Sequence, residues 1–283
     1  PVGGALTRIS AKKARKNGTK VIYTAHGFHF YKGASLINWL VYYPVERWLA
    51  KYTDVLITIN KEDYNRVKKF KANKVEYIPG VGIDVDKFND IEVDKNSKRK
   101  ELGLPEDSCV VLSVGELNKN KNHEIVIRAF AKMNNPQIHY LICGQGVLES
   151  YLRDLVKELG LEKQVHLLGF RKDIAEICKA SDIFAFPSKR EGLGLAALEA
   201  MASGLPIITS NVHGIVDYSV DELTGYTCRP TDVDEFAEAI EKLFSKPDMR
   251  KLMGVHNKDI VKKFEIENVI EIMQKIYKSL SKY

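Results

Sequence analysis

The chain has 283 residues, of which 45% are hydrophobic and 28% are charged, as in ordinary soluble globular proteins. No apolar run approaches the roughly 18–20 residues that cross a bilayer, which excludes a membrane-spanning helix. The net charge of +6 is uneven, because residues 1–82 hold 15 Lys and Arg against 5 Asp and Glu. This asymmetry indicates that the first part meets a membrane surface, a phosphorylated substrate or nucleic acid, or else presents a solvated basic face.

Strand and helix patterns alternate along most of the chain. The predicted strands are short, apolar on both faces and rich in β-branched residues, which is typical of buried parallel strands. They lie at residues 21–24, 55–59, 75–78, 110–114, 139–143, 165–168, 183–186 and 206–209. The helical patterns fall at 5–16, 36–51, 62–70, 124–133, 148–159, 174–180, 195–202, 233–244, 249–264 and 266–280. This alternation predicts an α/β fold of doubly wound parallel sheets with helices on both faces.

The alternation is interrupted after Gly82, where a charged run with few apolar residues begins. We predict a partial N-terminal Rossmann-like domain at 1–82, a linker at 83–107 and a C-terminal Rossmann-like domain at 108–262. The last segment, 263–283, is predicted as a helix that crosses back to the N-terminal domain. The first domain starts as if in the middle of an α/β domain, with a helical pattern followed by a strand. It is also shorter than the usual roughly 100–150 residues, so we expect it to be truncated.

The helical pattern at 36–51 is aromatic and lies within the basic first segment. Its aromatic residues are Trp39, Tyr42, Tyr43 and Trp48. A helix of this kind can lie on a membrane surface, and it can equally pack on a sheet. The sequence leaves both interpretations open.

The most informative stretch joins the predicted strand at 183–186 to the helix at 195–202. The loop between them holds Glu191 and two glycines, Gly192 and Gly194, which let backbone approach a ligand closely. The loop follows the carboxyl end of a parallel strand, where open α/β sheets bind ligands. It also leads into a helix N-terminus, whose N–H groups attract anions. The stretch therefore predicts a binding site for an anionic ligand.

Glu199 lies just over one turn inside this helix, among apolar neighbours. An acid on so apolar a helix is costly unless it has partners. Glu191 precedes the helix, and both carboxylates can face one crevice and accept hydrogen bonds from sugar hydroxyls. The alternative interpretation of Glu199 is a surface glutamate.

The two acids, eight positions apart, reproduce the E-x7-E motif of retaining GT-B glycosyltransferases. The phrase EGLGLAALEAMASGLPII resembles glycosyltransferase family 4 of the bacterial polysaccharide and cell-envelope type, as do IHYLICGQG, VHLLGF and ASDIFAFPS. The resemblance covers the chain from about Tyr23 to the last helix. It implies a GT-B fold and a hexosyltransferase that uses a nucleoside diphosphate sugar and retains the anomeric configuration.

The resemblance also assigns roles to individual residues. Glu199 is expected to bind the ribose hydroxyls of the nucleotide, and Glu191 the donor sugar. Backbone around Gly192 is expected to hold sugar and diphosphate, and the turn that contains Phe170 is expected against the nucleobase. The expected donor-binding residues of these segments, with a tight turn that lines the crevice, are Gly144, Gly146, Gly169, Phe170, Arg171, Glu191, Gly192, Leu193, Gly194, Leu195 and Glu199.

A second donor element follows the predicted strand at 110–114. Family members carry an Arg directly after the glycine that corresponds to Gly115, and a Lys five positions further on. Lys121 fits the Lys and is expected to stabilise the leaving diphosphate, whereas Glu116 occupies the Arg position. Either Lys119 substitutes for that Arg or the diphosphate is held with less charge. The alternative is that both lysines are solvated.

In the first segment, His26 resembles the histidine that the family places opposite the donor. It is expected to contact the donor sugar or its phosphate, and a structural turn histidine is the alternative. The expected catalytic residues are thus His26, Lys121 and Glu191.

The expected reaction transfers a hexose from a UDP-linked donor to a saccharide or lipid-linked saccharide in cell-surface polysaccharide synthesis. No metal or cofactor is expected, because the sequence has no DxD motif at a strand end and no His/Cys cluster. The four separated cysteines, Cys109, Cys143, Cys178 and Cys228, are predicted to be reduced thiols in or near the core. A cytoplasmic protein is expected, with peripheral contact with the inner face of the plasma membrane left open and no nucleic-acid partner.

Two alternative functions remain at this point. One is a nucleotide-sugar-binding fragment without activity, and the other is a GT-B-fold epimerase or phosphorylase. A complete enzyme would supply a glycine-rich acceptor loop that this sequence lacks. We therefore expect the chain to bind UDP but to transfer sugar poorly.

Overall fold

The computed structural model describes residues 2–280, in which strands and helices alternate. The strands are β1 Ile22–Ala25, β2 Val55–Thr58, β3 Lys74–Tyr77, β4 Cys109–Val114, β5 Ile138–Cys143, β6 Val165–Gly169, β7 Ile183–Phe186, β8 Ile207–Ser210 and β9 Gly225–Cys228. The α-helices are α1 Val2–Ser10, α2 Lys12–Lys16, α3 Leu36–Leu49, α4 Lys61–Val67, α5 Val85–Asn89, α6 Lys95–Glu101, α7 His123–Met133, α8 Glu149–Glu158, α9 Ile174–Ala180, α10 Leu195–Ala202, α11 Val233–Ser245, α12 Pro247–Val261 and α13 Ile266–Leu280.

The predicted strands are confirmed, each within one residue of its predicted bounds. Strand β9 was not predicted, because the sequence Gly-Tyr-Thr-Cys has too few apolar residues to produce a strand pattern. It forms by pairing with β8 along its whole length. The predicted helix at 5–16 is divided into α1 and α2, and the stretch 83–107 contains the short helices α5 and α6. All four cysteines are buried free thiols, as predicted.

Contacts between residues divide the chain into two compact units. The first contains the described residues up to Gly82, the short segment Glu191–Leu193 and the described residues from Lys263 onward. The second contains Ile83–Arg190 and Gly194–Lys262.

The second unit is built on a six-stranded parallel sheet with the order β6-β5-β4-β7-β8-β9. Its two faces are covered by helices, and its main core contains alternate residues of the central strands, such as Val111, Tyr140 and Ile142. From β4 the chain continues through β5 to β6 on one side, and β7 then pairs with the other side of β4. The strand order therefore reverses at β4 and β7, and ligands of open α/β sheets bind at such a point.

The first unit contains a parallel sheet with the order β1-β2-β3. One side of α3 packs on this unit, because Trp39 and Tyr43 contact the ring of Phe30. The other side of α3 is apolar and exposed, with Leu36 and Leu40 at 72% and 67% exposure. Helix α3 is thus both a packed helix and an apolar surface. No helix within residues 2–280 has the length and apolar character to cross a bilayer.

A buried ion pair joins α1 to α3 in the first unit. The Arg8 side chain is 1% exposed, its Nη2 donates to Glu46 at 2.8 Å, and its guanidinium lies 3.9 Å from the Tyr23 ring centre. Glu46→Leu is expected to lower the free energy of unfolding by about 3–5 kcal/mol, because it leaves a buried charge without its partner. Urea unfolding measures this change.

The matched control is Glu149→Leu, which breaks an exposed pair with Arg153 on α8. That variant is expected to lose less than about 1 kcal/mol. Equal losses in the two variants would contradict the assigned importance of the buried pair.

Candidate functional site

Four loops of the second unit meet at the carboxyl edge of its sheet. They follow β4, β5, β6 and β7, which are neighbours in the sheet and run parallel. The loops after β5 and β6 are joined by a hydrogen bond from Gly144 N to Gly169 O of 2.8 Å. The loops after β4 and β5 are joined by one from Leu117 N to Gln145 O of 3.0 Å. These hydrogen bonds join the loops after β4, β5 and β6 into one continuous surface.

The loops after β4 and β7 are also joined, at the point where the strand order reverses. Lys189 N donates to Asn120 O at 2.8 Å, and Asn120 Nδ2 donates to Arg190 O at 2.9 Å. Asn122 Nδ2 donates to Pro187 O at 3.1 Å. The two segments in which the sequence predicted donor-binding residues are therefore held together by one backbone hydrogen bond and two asparagine side-chain hydrogen bonds.

The glycines of the turn after β5 are required for this packing. A side chain at Gly144 would overlap the carbonyl oxygen of Gly115, and its φ of +154° also disfavours other residues. A side chain at Gly146 would overlap the backbone of Leu117. This Gly-Gln-Gly turn thus allows the β4 and β5 loops to approach each other.

Lys121 lies at the centre of these loops. Its aliphatic chain passes Gly115, where a Cβ would lie 3.2 Å from Lys121 Cδ, and its Nζ lies 5.1 Å from the centre of the Phe186 ring. The ammonium group is therefore positioned beside the end of β7. Lys119 and Glu116 are exposed, and the Glu116 carboxylate accepts a 2.8 Å hydrogen bond from Asn118 Nδ2.

The N-terminus of α10 starts next to the same ring. Gly194 precedes the helix with φ +99°, and a Cβ there would lie 2.5 Å from Phe186 Cε1 and 2.9 Å from the Tyr218 hydroxyl. Only glycine fits this position, so the helix starts close to the end of β7. The first N–H groups of a helix have no partner within it and can bind an anion. Leu195, the first residue of α10, is 40% exposed.

Glu199 is half-buried on α10, between buried neighbours such as Leu198 and Ala200. Burial raises the pKa of this carboxyl, and the charge of Lys87 on α5 partly opposes that effect. A half-buried carboxylate in an apolar helix can accept hydrogen bonds from a ligand at low desolvation cost. Its partial burial disfavours the alternative of an ordinary surface glutamate.

Residues of the predicted site also lie in the first unit. A side chain at Gly192 would overlap the carbonyl oxygen of His26, so these two backbone segments touch. Leu193 packs against Gly80 in the same unit. The exposed His26 borders a cavity of about 320 Å³ with Tyr23, Tyr42 and Glu46 among its lining residues.

The loops after β4, β5 and β6 enclose a second cavity, of about 380 Å³. Two of its lining residues, Phe170 and Arg171, follow Gly169, whose φ of +68° turns the chain at the end of β6. The Phe170 side chain is 67% exposed. A large exposed ring beside a cavity can stack on a planar ligand.

Sequence patterns did not reveal some residues that shape this surface. Lys87 acts on Glu199 from α5, in the predicted linker, and Tyr218 lies against Gly194 from beyond β8. One contact near this surface did have a signal in the sequence. Asp173 follows Arg171 by two residues, and the two side chains form an ion pair. The other contacts depend on segments far apart in sequence.

His123 is buried beneath the loop that carries Lys121. Burial, with a smaller contribution from the charge of Lys121, lowers the pKa of its imidazole to about 4. Its Nδ1 lies 3.5 Å from the hydroxyl of Tyr140. Because the unfolded imidazole has a pKa of about 6.5, the unfolded state binds more protons at acid pH and stability falls as pH drops below that value.

At pH 5 this loss is expected to be about 2 kcal/mol for His123 alone. His123→Asn is therefore expected to narrow the difference in Tm between pH 7 and pH 5, measured by calorimetry. A smaller decrease in Tm between pH 7 and pH 5 is expected to remain in the variant, because burial also lowers the pKa of His139 and His166. An unchanged difference in Tm would contradict the neutral buried state of His123.

Comparisons with known proteins identify the family of this chain. The family described as Glycosyl transferases group 1 matches residues 94–259. EpsD of Bacillus subtilis (strain 168) is 38% identical over 282 residues, which cover 98% of this chain and 74% of EpsD. The UDP-Gal:alpha-D-GlcNAc-diphosphoundecaprenol alpha-1,3-galactosyltransferase of Escherichia coli is 33% identical over 97% of this chain and 72% of its own length.

Solved structures share the fold. HepE of Anabaena, determined in complex with UDP, superposes with a TM-score of 0.83 and 23% identity, over 99% of this chain and 76% of HepE. Such structures are GT-B glycosyltransferases, so the predicted GT-B fold with Rossmann-like parallel sheets is confirmed. The identification of the sequence as a glycosyltransferase is also confirmed by the family match and by the relatives. The chain belongs to the group 1 glycosyl transferases and is a hexosyltransferase by family.

Proposed function

We propose that the chain transfers a hexose from a UDP-sugar to the hydroxyl of a saccharide or lipid-linked saccharide, with retention of anomeric configuration. The observation that carries the proposal is that Lys121 and the α10 N-terminus both lie beside Phe186 at one sheet edge, with Glu199 just over one turn inside α10. A cation and a helix N-terminus together favour a diphosphate. A half-buried carboxylate nearby suits the hydroxyls of a ribose.

The proposed roles follow the chemistry of glycosyl transfer. As the bond between the anomeric carbon and the diphosphate breaks, negative charge develops on the leaving oxygen. Lys121 and the N–H groups at the start of α10 would stabilise that charge. Glu199 would bind the ribose, Glu191 and His26 the donor sugar, and the Phe170 turn the base. With no carboxylate assigned as nucleophile, we propose a same-face displacement guided by the leaving phosphate.

Two comparisons favour uridine as the nucleoside. HepE was solved with UDP and with UDP-glucose, and the Escherichia coli relative is named for UDP-Gal. The same relative acts on a diphosphoundecaprenol-linked sugar, which supports a lipid-linked acceptor in polysaccharide synthesis.

The exposed side of α3 supports contact with an anionic membrane surface. Its apolar residues Leu36, Ile37, Leu40 and Val41 are 50–72% exposed. Lysines of α2, which lies in the same unit, supply positive charge, and α1 packs against α3. Basic charge beside an exposed apolar helix favours binding to acidic lipids. We place this contact at the inner face of the plasma membrane.

Replacing Ile37 and Leu40 together by Ser is expected to reduce flotation of the chain with phosphatidylglycerol vesicles at least about threefold, because these side chains would insert among the lipids. The control is the exposed α12 pair Leu252 and Val255, replaced in the same way. Equal flotation of the three proteins would contradict the membrane contact.

The main proposal is tested by calorimetric titration with UDP and by thermal denaturation with a panel of nucleotide sugars. A donor at 100 times its Kd is expected to stabilise the fold by about 2.7 kcal/mol. Product analysis then separates the alternatives, since transfer of a hexose with retained configuration supports the proposal. Epimerised donor, sugar phosphate as the product, or binding without turnover would refute it.

A further inference from the structure

The cavity at the ends of β4, β5 and β6 has a side suited to a flat ring and a side that carries charge. Val114, Cys143 and Ile174 line it with apolar groups, and the exposed ring of Phe170 borders it. Arg171 is the only arginine or lysine among its lining residues in the described part of the chain. Glu116 and Gln145 also line the cavity, and Arg171 supplies its cationic hydrogen-bond donor.

Hydrogen bonds to two carboxylates hold one edge of the Arg171 guanidinium. Nε and Nη2 donate to the two carboxylate oxygens of Asp173 at 2.8 and 2.6 Å, and Nη2 also donates to Glu101 at 2.9 Å. Over residues 2–280, Nη1 has no hydrogen-bond partner. The side chain is 28% exposed, so the N–H groups of Nη1 can reach a ligand.

A second cation fixes the two carboxylates. Lys98 on α6 has a side chain only 8% exposed, and its Nζ lies 2.6 Å from Asp173 and 2.9 Å from Glu101. It also contacts Glu176 on α9 at 2.8 Å. The planar fork of Arg171 is therefore clamped from two helices, which orients the remaining donor without a large entropy cost on ligand binding.

We infer that Nη1 of Arg171 donates a hydrogen bond to the 4-keto oxygen of a uracil base, so that the site selects uracil over cytosine. A guanidinium is only a donor, and it can pair with the 4-keto oxygen of uracil but not with the 4-amino group of cytosine. The exposed ring of Phe170 supplies a stacking surface that does not discriminate between bases. This inference rests on the proposed function, since it assumes that a nucleotide occupies this edge of the sheet.

The test compares UDP with CDP, which have rings of one size, by calorimetric titration of the whole chain. The unaltered protein is expected to bind UDP at least about tenfold more tightly than CDP. Arg171→Leu is expected to bring the two Kd values within about threefold of each other. Arg171→Lys is expected to do the same, because a lysine keeps the charge but not the clamped fork.

Asp173→Asn provides a second route to the same result, since it releases the fork while leaving Arg171 in place. The control is Arg153→Leu, which removes an exposed arginine of α8 that does not line the cavity, and it is expected to keep the UDP preference. Full UDP preference in Arg171→Leu would overturn the inference. Full UDP preference in Arg171→Lys would also overturn it. Equal weakening of UDP and CDP binding in Arg171→Leu would overturn it as well, because it would indicate that Arg171 contacts the phosphates. Absence of UDP and CDP binding by the unaltered protein would instead refute the proposed function.

Discussion

Lys121→Ala is expected to lower the rate of UDP release from the donor by about 10²–10³-fold. The loss of a positioned group that stabilises developing charge typically has an effect of this size. Lys121 is placed for that role because its ammonium lies beside Phe186, at the ring that also contacts Gly194 before α10. The measurement is UDP release from the nucleotide sugar that gives the highest rate with the unaltered chain.

Two further lysines make this experiment specific. Lys157→Ala, on the exposed side of α8, is the control for general loss of positive charge and is expected to keep the full rate. Lys119→Ala tests whether the exposed Lys119 of the same loop supplies the positive charge of the family arginine whose position Glu116 occupies. A rate within about threefold of the unaltered protein in Lys121→Ala would contradict the assigned role.

Glu199→Gln is expected to raise the Kd for UDP by about 10–100-fold, because hydrogen bonds to a charged group contribute about 1.5–3 kcal/mol. Because the ribose does not react, the loss of binding free energy should be equal in the ground state and the transition state. We therefore expect kcat to change little. Because burial raises the pKa of Glu199, the affinity of the unaltered protein should fall as pH drops toward that raised value. The variant should lack that part of the pH dependence.

Glu238→Gln on the exposed face of α11 is the matched control, and it is expected to bind UDP as the unaltered protein does. Titration calorimetry between pH 5 and pH 8 provides both measurements. The ribose assignment is wrong if Glu199→Gln lowers kcat while leaving the affinity for UDP intact.

Much of the second unit could be predicted from sequence because its signals are local. Each central strand is a short apolar run, and β7 leads into a loop whose Gly192 and Gly194 mark close backbone approach. The apolar character of α10 similarly made Glu199 conspicuous. Strand β9 escaped prediction because its position depends on pairing with β8 and not on its own composition.

The amino-acid sequence by itself determined the alternation of strands and helices, and with it the sheet edge at which Lys121, Gly194 and Glu199 lie. Only the tertiary structure decided that Glu101 of the expected linker, itself paired with Lys98, binds Arg171, which lies 70 residues further along the chain. It also decided which side of α3 is exposed. Apolar periodicity fixes which elements form, whereas the partner of a charged side chain depends on how distant elements pack.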